Sequence, residues 1–484
     1  MPTRHPLSSE GSVDLLPTAL RRLRPTDVTR GLRFARGPFF FSATPWRHLS
    51  EFPPTALGDT RCRIAMVRYT SAMKSVVLFE DEGFVDLLPL LFWRSLFELQ
   101  VGRKVILDRI AQRLGMSIAG VWTRDWIAKV AAQRCGAPAN NPLSAPVVLV
   151  NGRWLFDGPV EFPKPPCVGV VEGGGIAYIV CDEALAAKLT PRDLLRASLR
   201  DLSLHGVRRE PASGRLLRYP WEVVRDLPEL LRGDWDPADA GVESKIDKHT
   251  AIGPSDLIQV GERTRVHPTA IIDAAEGPIF IGDDVVIGPY SILEGPLYLG
   301  PGSLVHPHSR LHGGNAIGPV CKVSGEMHGC VLHGYTNKQH NGFLGHSYVG
   351  SWVNFGAGSN NSDLKNTYGP IRVPINGVEV DSELTFFGAI IADHAKVGIN
   401  ASIPTGAVIG MGASIAATRM LPKFVPSFAW VTDKSVSPGD PLRALDVASA
   451  VMVRRNIDMT DEEVELFLDL GQRVQQFEAR PAAG

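Results

Sequence analysis

Two stretches of this chain gather the residue types that move protons and hold charge. The first holds Lys322, Glu326, His328, His333, Asn337, Lys338 and His340, and the second holds Asn360, Asn361, Asp363, Lys365, Asn366, Tyr368 and Arg372. Histidine ordinarily titrates closest to neutrality, so it is the natural general base near pH 7. Lysines and arginines nearby suit a phosphate. The histidines at 328, 333, 340 and 346 are also a set that could hold zinc. A plainer reading stands beside these: surface histidines are mostly interface residues, and Asn354, Asn360 and Asn361 could form a structural amide ladder.

Both stretches interrupt a repeat. Ile281, Ile287, Leu293, Leu299, Val305, Leu311, Ile317 and Val323 recur at every sixth position, with Gly282, Gly288, Gly300 and Gly318 directly after four of them. The period returns at Ile391, Val397, Ile403, Ile409 and Ile415. A strict six-residue period of this kind predicts a parallel β-helix over roughly residues 245–420, each hexad giving a short strand and a corner taken by Gly or another turn residue. A regular coil surface offers few convergent polar groups, so chemistry belongs in the two breaks, 323–344 and 355–391.

At 484 residues the chain is long enough for two or three units. Lys plus Arg number 50 against 51 Asp plus Glu, so no overall field favours nucleic acid or an anionic membrane, while small anionic substrates stay open. The six cysteines are scattered without a C-x-x-C pair, as in a reduced, cytoplasmic protein. No apolar run reaches membrane-spanning length, and the start of the chain lacks a secretory h-region.

Residues 1–72 are rich in Arg, Pro and Thr and read as an appendage, disordered or lying before the true start. Short apolar runs at 76–79, 147–150, 168–171 and 177–181 predict strands. Helices are expected at 103–114 and 191–204, in a mostly parallel sheet covered on both faces. Gly173, Gly174 and Gly175 read as a tight hairpin turn. The stretch 232–243 reads as a linker into the coil. A helical tail spans 441–478, with Thr460 and Glu463 spaced as a capping box, packing on a neighbouring coil or subunit.

The motifs then become specific. Gly318-Pro-Val-Cys-Lys-Val-Ser-Gly-Glu326, Gly334-Tyr-Thr-Asn-Lys-Gln-His340, Asn354-Phe-Gly-Ala-Gly358 with Asn361-Ser-Asp-Leu-Lys-Asn366, Asp393-His-Ala-Lys-Val-Gly-Ile-Asn400, Thr405-Gly-Ala-Val-Ile-Gly410 and Pro422-Lys-Phe-Val-Pro-Ser-Phe-Ala-Trp430 resemble a divergent branch of the GlmU-type family. That family joins N-acetylglucosamine-1-phosphate uridyltransferase and glucosamine-1-phosphate N-acetyltransferase activities.

The resemblance implies a Rossmann-like nucleotidyltransferase domain over 73–235 and a left-handed hexapeptide β-helix of acyltransferase type over 245–435. It implies a cytoplasmic homotrimer acting on a sugar-1-phosphate and a nucleoside triphosphate, with acetyl-CoA as acyl donor and Mg²⁺ as cofactor, on the way to a product such as UDP-N-acetylglucosamine. An amine attacking a thioester needs a base and oxyanion donors rather than a protein nucleophile. Counting back fourteen residues from Asn354, as the family spacing requires, gives His340 as that base, with His346 its rival. By the same correspondence Asn354 and Ala357 touch substrate or acyl donor, Arg310 meets the sugar phosphate, and Lys338 and Lys365 are further phosphate ligands. Asn361 belongs with them, and Asp363-Leu364 stands where the family has Asn-Tyr.

In the first domain, Val76-Val-Leu-Phe-Glu-Asp-Glu-Gly83 and Asn151-Gly-Arg153 resemble the branch's opening strand and second strand end. Asp81, Arg94, Arg103 and Asn151 are the implied nucleotide ligands. The loop Glu80-Asp81-Glu82 is acidic and should repel a triphosphate unless Mg²⁺ intervenes. Two other readings stand beside the coupled transferase: a non-catalytic sugar-nucleotide-binding scaffold, and a γ-type carbonic-anhydrase-like zinc enzyme.

Overall fold

The computed structural model describes residues 75–247 and 250–478; the expected appendage 1–72 lies outside them. Apolar runs at Ser75–Phe79, Val147–Asn151 and Ile176–Cys181 form the middle of a six-stranded sheet, flanked by Ser117–Trp122 on one side and by Cys167–Val170 and Arg208–Pro211 on the other. The sheet is mostly parallel, as expected, with one antiparallel member. Its first three strands are parallel neighbours, but Ile176–Cys181 runs antiparallel to both strands beside it. The cause is the expected glycine hairpin: Gly173 and Gly174 adopt φ of 89° and 91° and return the chain directly alongside itself.

Helix Ile106–Leu114 starts three residues later than expected, because Gln100–Val101 and Lys104–Val105 pair as a small hairpin around Gly102 at φ 74°. The expected helix 191–204 is two, Pro191–Leu194 and Ala197–Ser203. Arg196 between them is extended, at φ −136° and ψ 114°. The supposed linker is the last turn of helix Pro220–Gly233 followed by the first coil strand, Gly241–Val242, which pairs with Ile258–Val260.

The coil has three faces. Two are ten-stranded sheets and one is six-stranded, with parallel pairing between successive turns and a final strand, Val436–Pro438, added antiparallel. On the first face Ile281, Leu299, Ile317, Leu332, Val349, Ile391 and Ile409 stack in register, and all are buried. Each such side chain contributes roughly 1.5–3 kcal/mol of burial. The glycines after the apolar residues serve close approach between turns: a Cβ on Gly300 would sit 2.5 Å from Pro319 N. The left-handed corner position falls instead to residues such as Asp284, Val320, Tyr335, Trp352 and His394.

The first break is no insertion. Val331–Leu332, Asn337–Lys338 and Phe343–Gly345 continue the three faces. The apolar period lapses because this turn is shorter and because Lys338 occupies the inward column of the third face, in register with Val323. Leu311 pairs with Met327 sixteen residues on and Ile317 with Leu332 fifteen residues on, against eighteen from Val305 to Val323. The second break does leave the coil, making a hairpin of Arg372–Ile375 and Val378–Asp381 before the return at Ala389–Ile391.

Helices Pro441–Val453 and Asp461–Arg473 close the chain, and Thr460 and Glu463 make the expected capping box. They pack on this chain itself: Glu463 pairs with Arg134 at 2.6 Å, and Phe467 meets Trp93 and His394 edge-on. One apolar core runs from the sheet (Val76, Val148) through helix Pro220–Gly233 to the coil (Tyr348, Phe387) and this tail (Phe467, Leu470). Among the described residues no helix is long and apolar enough to cross a membrane.

Candidate functional site

The strand Phe343–Gly345 ends the second face, and His346 follows at the corner with φ 41°. Its Nδ1 lies 2.8 Å from Oδ2 of Asp363. Two glycines make room for the pair: a Cβ on Gly345 would lie 2.3 Å from that Asp363 oxygen, and one on Gly329 would lie 2.7 Å from the imidazole. Asp363 is placed by the strand Asn360–Asn361. Its side-chain amides replace a backbone ladder there: Phe343 N–H donates to Asn360 at 2.7 Å and Gly345 N–H to Asn361 at 2.8 Å. Asn361 donates back to Gly345 O at 2.9 Å and is buried, so the amide-ladder alternative describes it and its amide faces the coil rather than a substrate.

A carboxylate on Nδ1 fixes the ring's orientation and leaves Nε2 as the basic nitrogen. Along the same edge His328 lies 4.7 Å from His346 and 5.2 Å from His312, ring centre to ring centre. His312 meets Glu294 at 2.9 Å and Glu326 at 3.2 Å. Burial, then the neighbouring His346 and His312, push the His328 imidazole below its ordinary pKa. A cleft of about 330 Å³ runs beside His312 and His328, lined also by Glu294, Asp273, Glu276 and, from the first domain, Arg232; His346 lies outside its lining.

His340 is exposed at the opposite edge of the second face, so His340 and His346 do not share a site within one chain. Lys338 is not a surface phosphate ligand. Its Nζ points inward and donates to His340 O at 2.7 Å, Gly342 O at 3.1 Å and Ser324 O at 3.4 Å. Burial there brings its pKa from 10.5 down to about 8. Arg310 is paired with Glu294 at 3.1 Å. Lys365 clips its own loop by donating to Pro370 O. Asn354 is half-buried on the third face between Asn337 and Lys396, and Ala357 is exposed at the following corner.

In the first domain Asp81 and Asn151 do come together, Asn151 donating to Asp81 at 2.8 Å. Arg153 closes the group with bonds of 2.7 and 2.6 Å to the two Asp81 oxygens. Glu80 is held by Arg124 at 2.9 Å, and Glu82 takes a 2.6 Å bond from Arg200. The acidic loop is therefore neutralised internally, against the expected repulsion. A divalent cation needs carboxylate oxygens free to coordinate it. Glu80, Asp81 and Asn151 as arranged do not offer them, and among the described residues no cluster of three His, Cys, Asp or Glu is placed to share a metal ion.

Arg94 and Arg103 are corrected as well. Arg94 meets His333 at 2.9 Å and Asp393, both in the coil, while Arg103 meets Asp239 at 2.7 Å and lies 4.4 Å over the Phe280 ring. Both spend their guanidinium groups on the seam between domain and coil. Arg124, Arg153 and Arg200 went unforeseen; the available signal was the run of three acids itself, which cannot be buried at a strand end without counter-charges.

Residues 76–241 match the family model described as sugar nucleotidyl transferase. The bifunctional protein GlmU of Methanococcus vannielii is 31% identical over 111 residues, 23% of this chain and 27% of that protein. GlmU of Methanococcus maripaludis strain C7 gives the same figures. The chain thus spans about a quarter of the length of these curated relatives, and over that stretch the similarity is to GlmU, as its motifs imply. Among solved structures, a UDP-N-acetylglucosamine acyltransferase from Francisella novicida is similar at 17% identity, with 45% of this chain and 75% of that chain covered and a TM-score of 0.20. One from Campylobacter jejuni gives 11%, 47%, 96% and 0.22. Scores that low carry no functional weight.

Proposed function

We propose that this chain is a sugar-nucleotide transferase whose coil moves an acyl group from acyl-CoA to the amine of an amino-sugar phosphate. The carrying observation is the His346–Asp363 pair at 2.8 Å. In this reading the amine nitrogen attacks the thioester carbonyl, and His346 Nε2 accepts the amine proton. The C–S bond then breaks, and the thiolate leaves with a proton returned from the imidazolium. Asp363 holds the ring and stabilises its charged form. Nucleotidyl transfer by the first domain rests on its family match over 76–241; the reading further assigns a cytoplasmic homotrimer.

A second reading, that the first domain binds a sugar nucleotide without turning it over, is favoured by the arginines closing Glu80, Asp81 and Glu82. Purified protein is given glucosamine-1-phosphate, acetyl-CoA, UTP and Mg²⁺, with thiol and pyrophosphate followed separately. The expected result is thiol release that falls about 10²–10⁴-fold in His346→Ala and survives in His340→Ala. The reverse pattern would move the base to His340. Pyrophosphate without thiol release would leave the coil an assembly scaffold.

A further inference from the structure

The third face, which does not adjoin the His346 corner, carries a groove of about 490 Å³. Its floor is Lys396, Ser414 and Trp430, paired in register on successive turns. One wall is the first turns of helix Pro441–Val453, bearing Arg443 and Val447, and the head is His394 with Phe428.

His394 is 2% exposed and packed among the rings of Trp93, Trp352 and Phe467, so it closes the groove's head. Two observations give this groove a ligand chemistry. Trp430 presents an indole that is 47% exposed, a platform for a planar ring. Arg443 is an exposed cation at the rim, suited to a phosphate. The one acid in the lining, Asp440, already caps the helix by accepting from Leu442 N–H at 2.9 Å.

We infer that this groove binds a nucleoside phosphate, its base stacked on Trp430 and its phosphate met by Arg443. Lys396 supports this from below. Its Nζ is held by Trp352 O and His394 O, both at 2.8 Å, and burial lowers its pKa to about 7, so an arriving anion favours its charged form. The site stands independently of the acyl-transfer reading, because it shares no residue with the His346 edge.

The test is calorimetric titration of the full chain with UMP, AMP and inorganic phosphate. Saturable binding of a nucleoside monophosphate is expected, with inorganic phosphate at least roughly tenfold weaker. Arg443→Ala and Trp430→Ala remove exposed side chains and leave the core intact, and each should weaken nucleotide binding by about tenfold. Equal affinity for phosphate alone would overturn the nucleoside assignment. Nucleotide binding unchanged in both variants, lost in His346→Ala instead, or absent at about 5 mM would overturn the site.

Discussion

The first domain and the coil both place acids where strands end, and they treat them in opposite ways. Glu80 and Asp81 follow a sheet strand and are sealed by Arg124 and Arg153, all nearly inaccessible. Asp363 on the coil has a histidine for its partner, at an edge that keeps 21% and 15% side-chain exposure for the two residues. An arginine stays charged at every working pH, so its pair can only hold structure. A histidine partner can exchange a proton, so the coil keeps a titratable pair where the domain keeps a lock.

The contrast can be broken most severely at the coil. Asp363→Asn should leave the fold intact and lower thiol release on the order of 10²-fold or more, by removing the carboxylate that orients His346. Unchanged turnover would make the pair structural and erase the difference. Next comes the lock: Arg124→Met leaves Glu80 buried without its cation and should cost about 3–5 kcal/mol, read as a lowered Tm, while thiol release per folded molecule persists. A loss of turnover with no loss of stability would instead make the lock part of the chemistry.

The smallest effect concerns Lys338, a charge in the coil that is neither locked nor open. Its folded pKa is about 8 against an ordinary 10.5, so the unfolded chain binds the proton more tightly. Stability should therefore rise as pH climbs from about 8 to 10.5 and be fully penalised below, by roughly 3 kcal/mol. Lys338→Met should lack that rise when the two proteins are melted side by side, and identical slopes would overturn the buried-charge account.

Much of this architecture was legible because apolar hexads report inward positions directly, and each of the hexad residues is buried. The strands at 76–79, 147–150 and 177–181 were legible for the same reason. The one reversed strand, Ile176–Cys181, was not, since strand sense depends on which neighbour a short turn selects. Family spacing points to His340, whereas the carboxylate partner belongs to His346. Asp363 lies seventeen residues from His346 and reaches it only because the coil returns to the same edge. The sealing arginines lie 44, 72 and 118 residues from their acids, beyond any local pattern. Lys338 was misplaced because a charged side chain in an inward column contradicts the rule that otherwise located the coil.

The common apolar core described above has a consequence for how the molecule holds together. Leu227 and Leu231 of the helix before the coil, Tyr348 within it and Phe467 after it belong to one packed interior, and Arg94 crosses from domain to coil. Neither half is a bead on a string. The nucleotidyl-type domain serves as a side wall of the solenoid, and heat should dismantle the two in one cooperative event rather than in sequence.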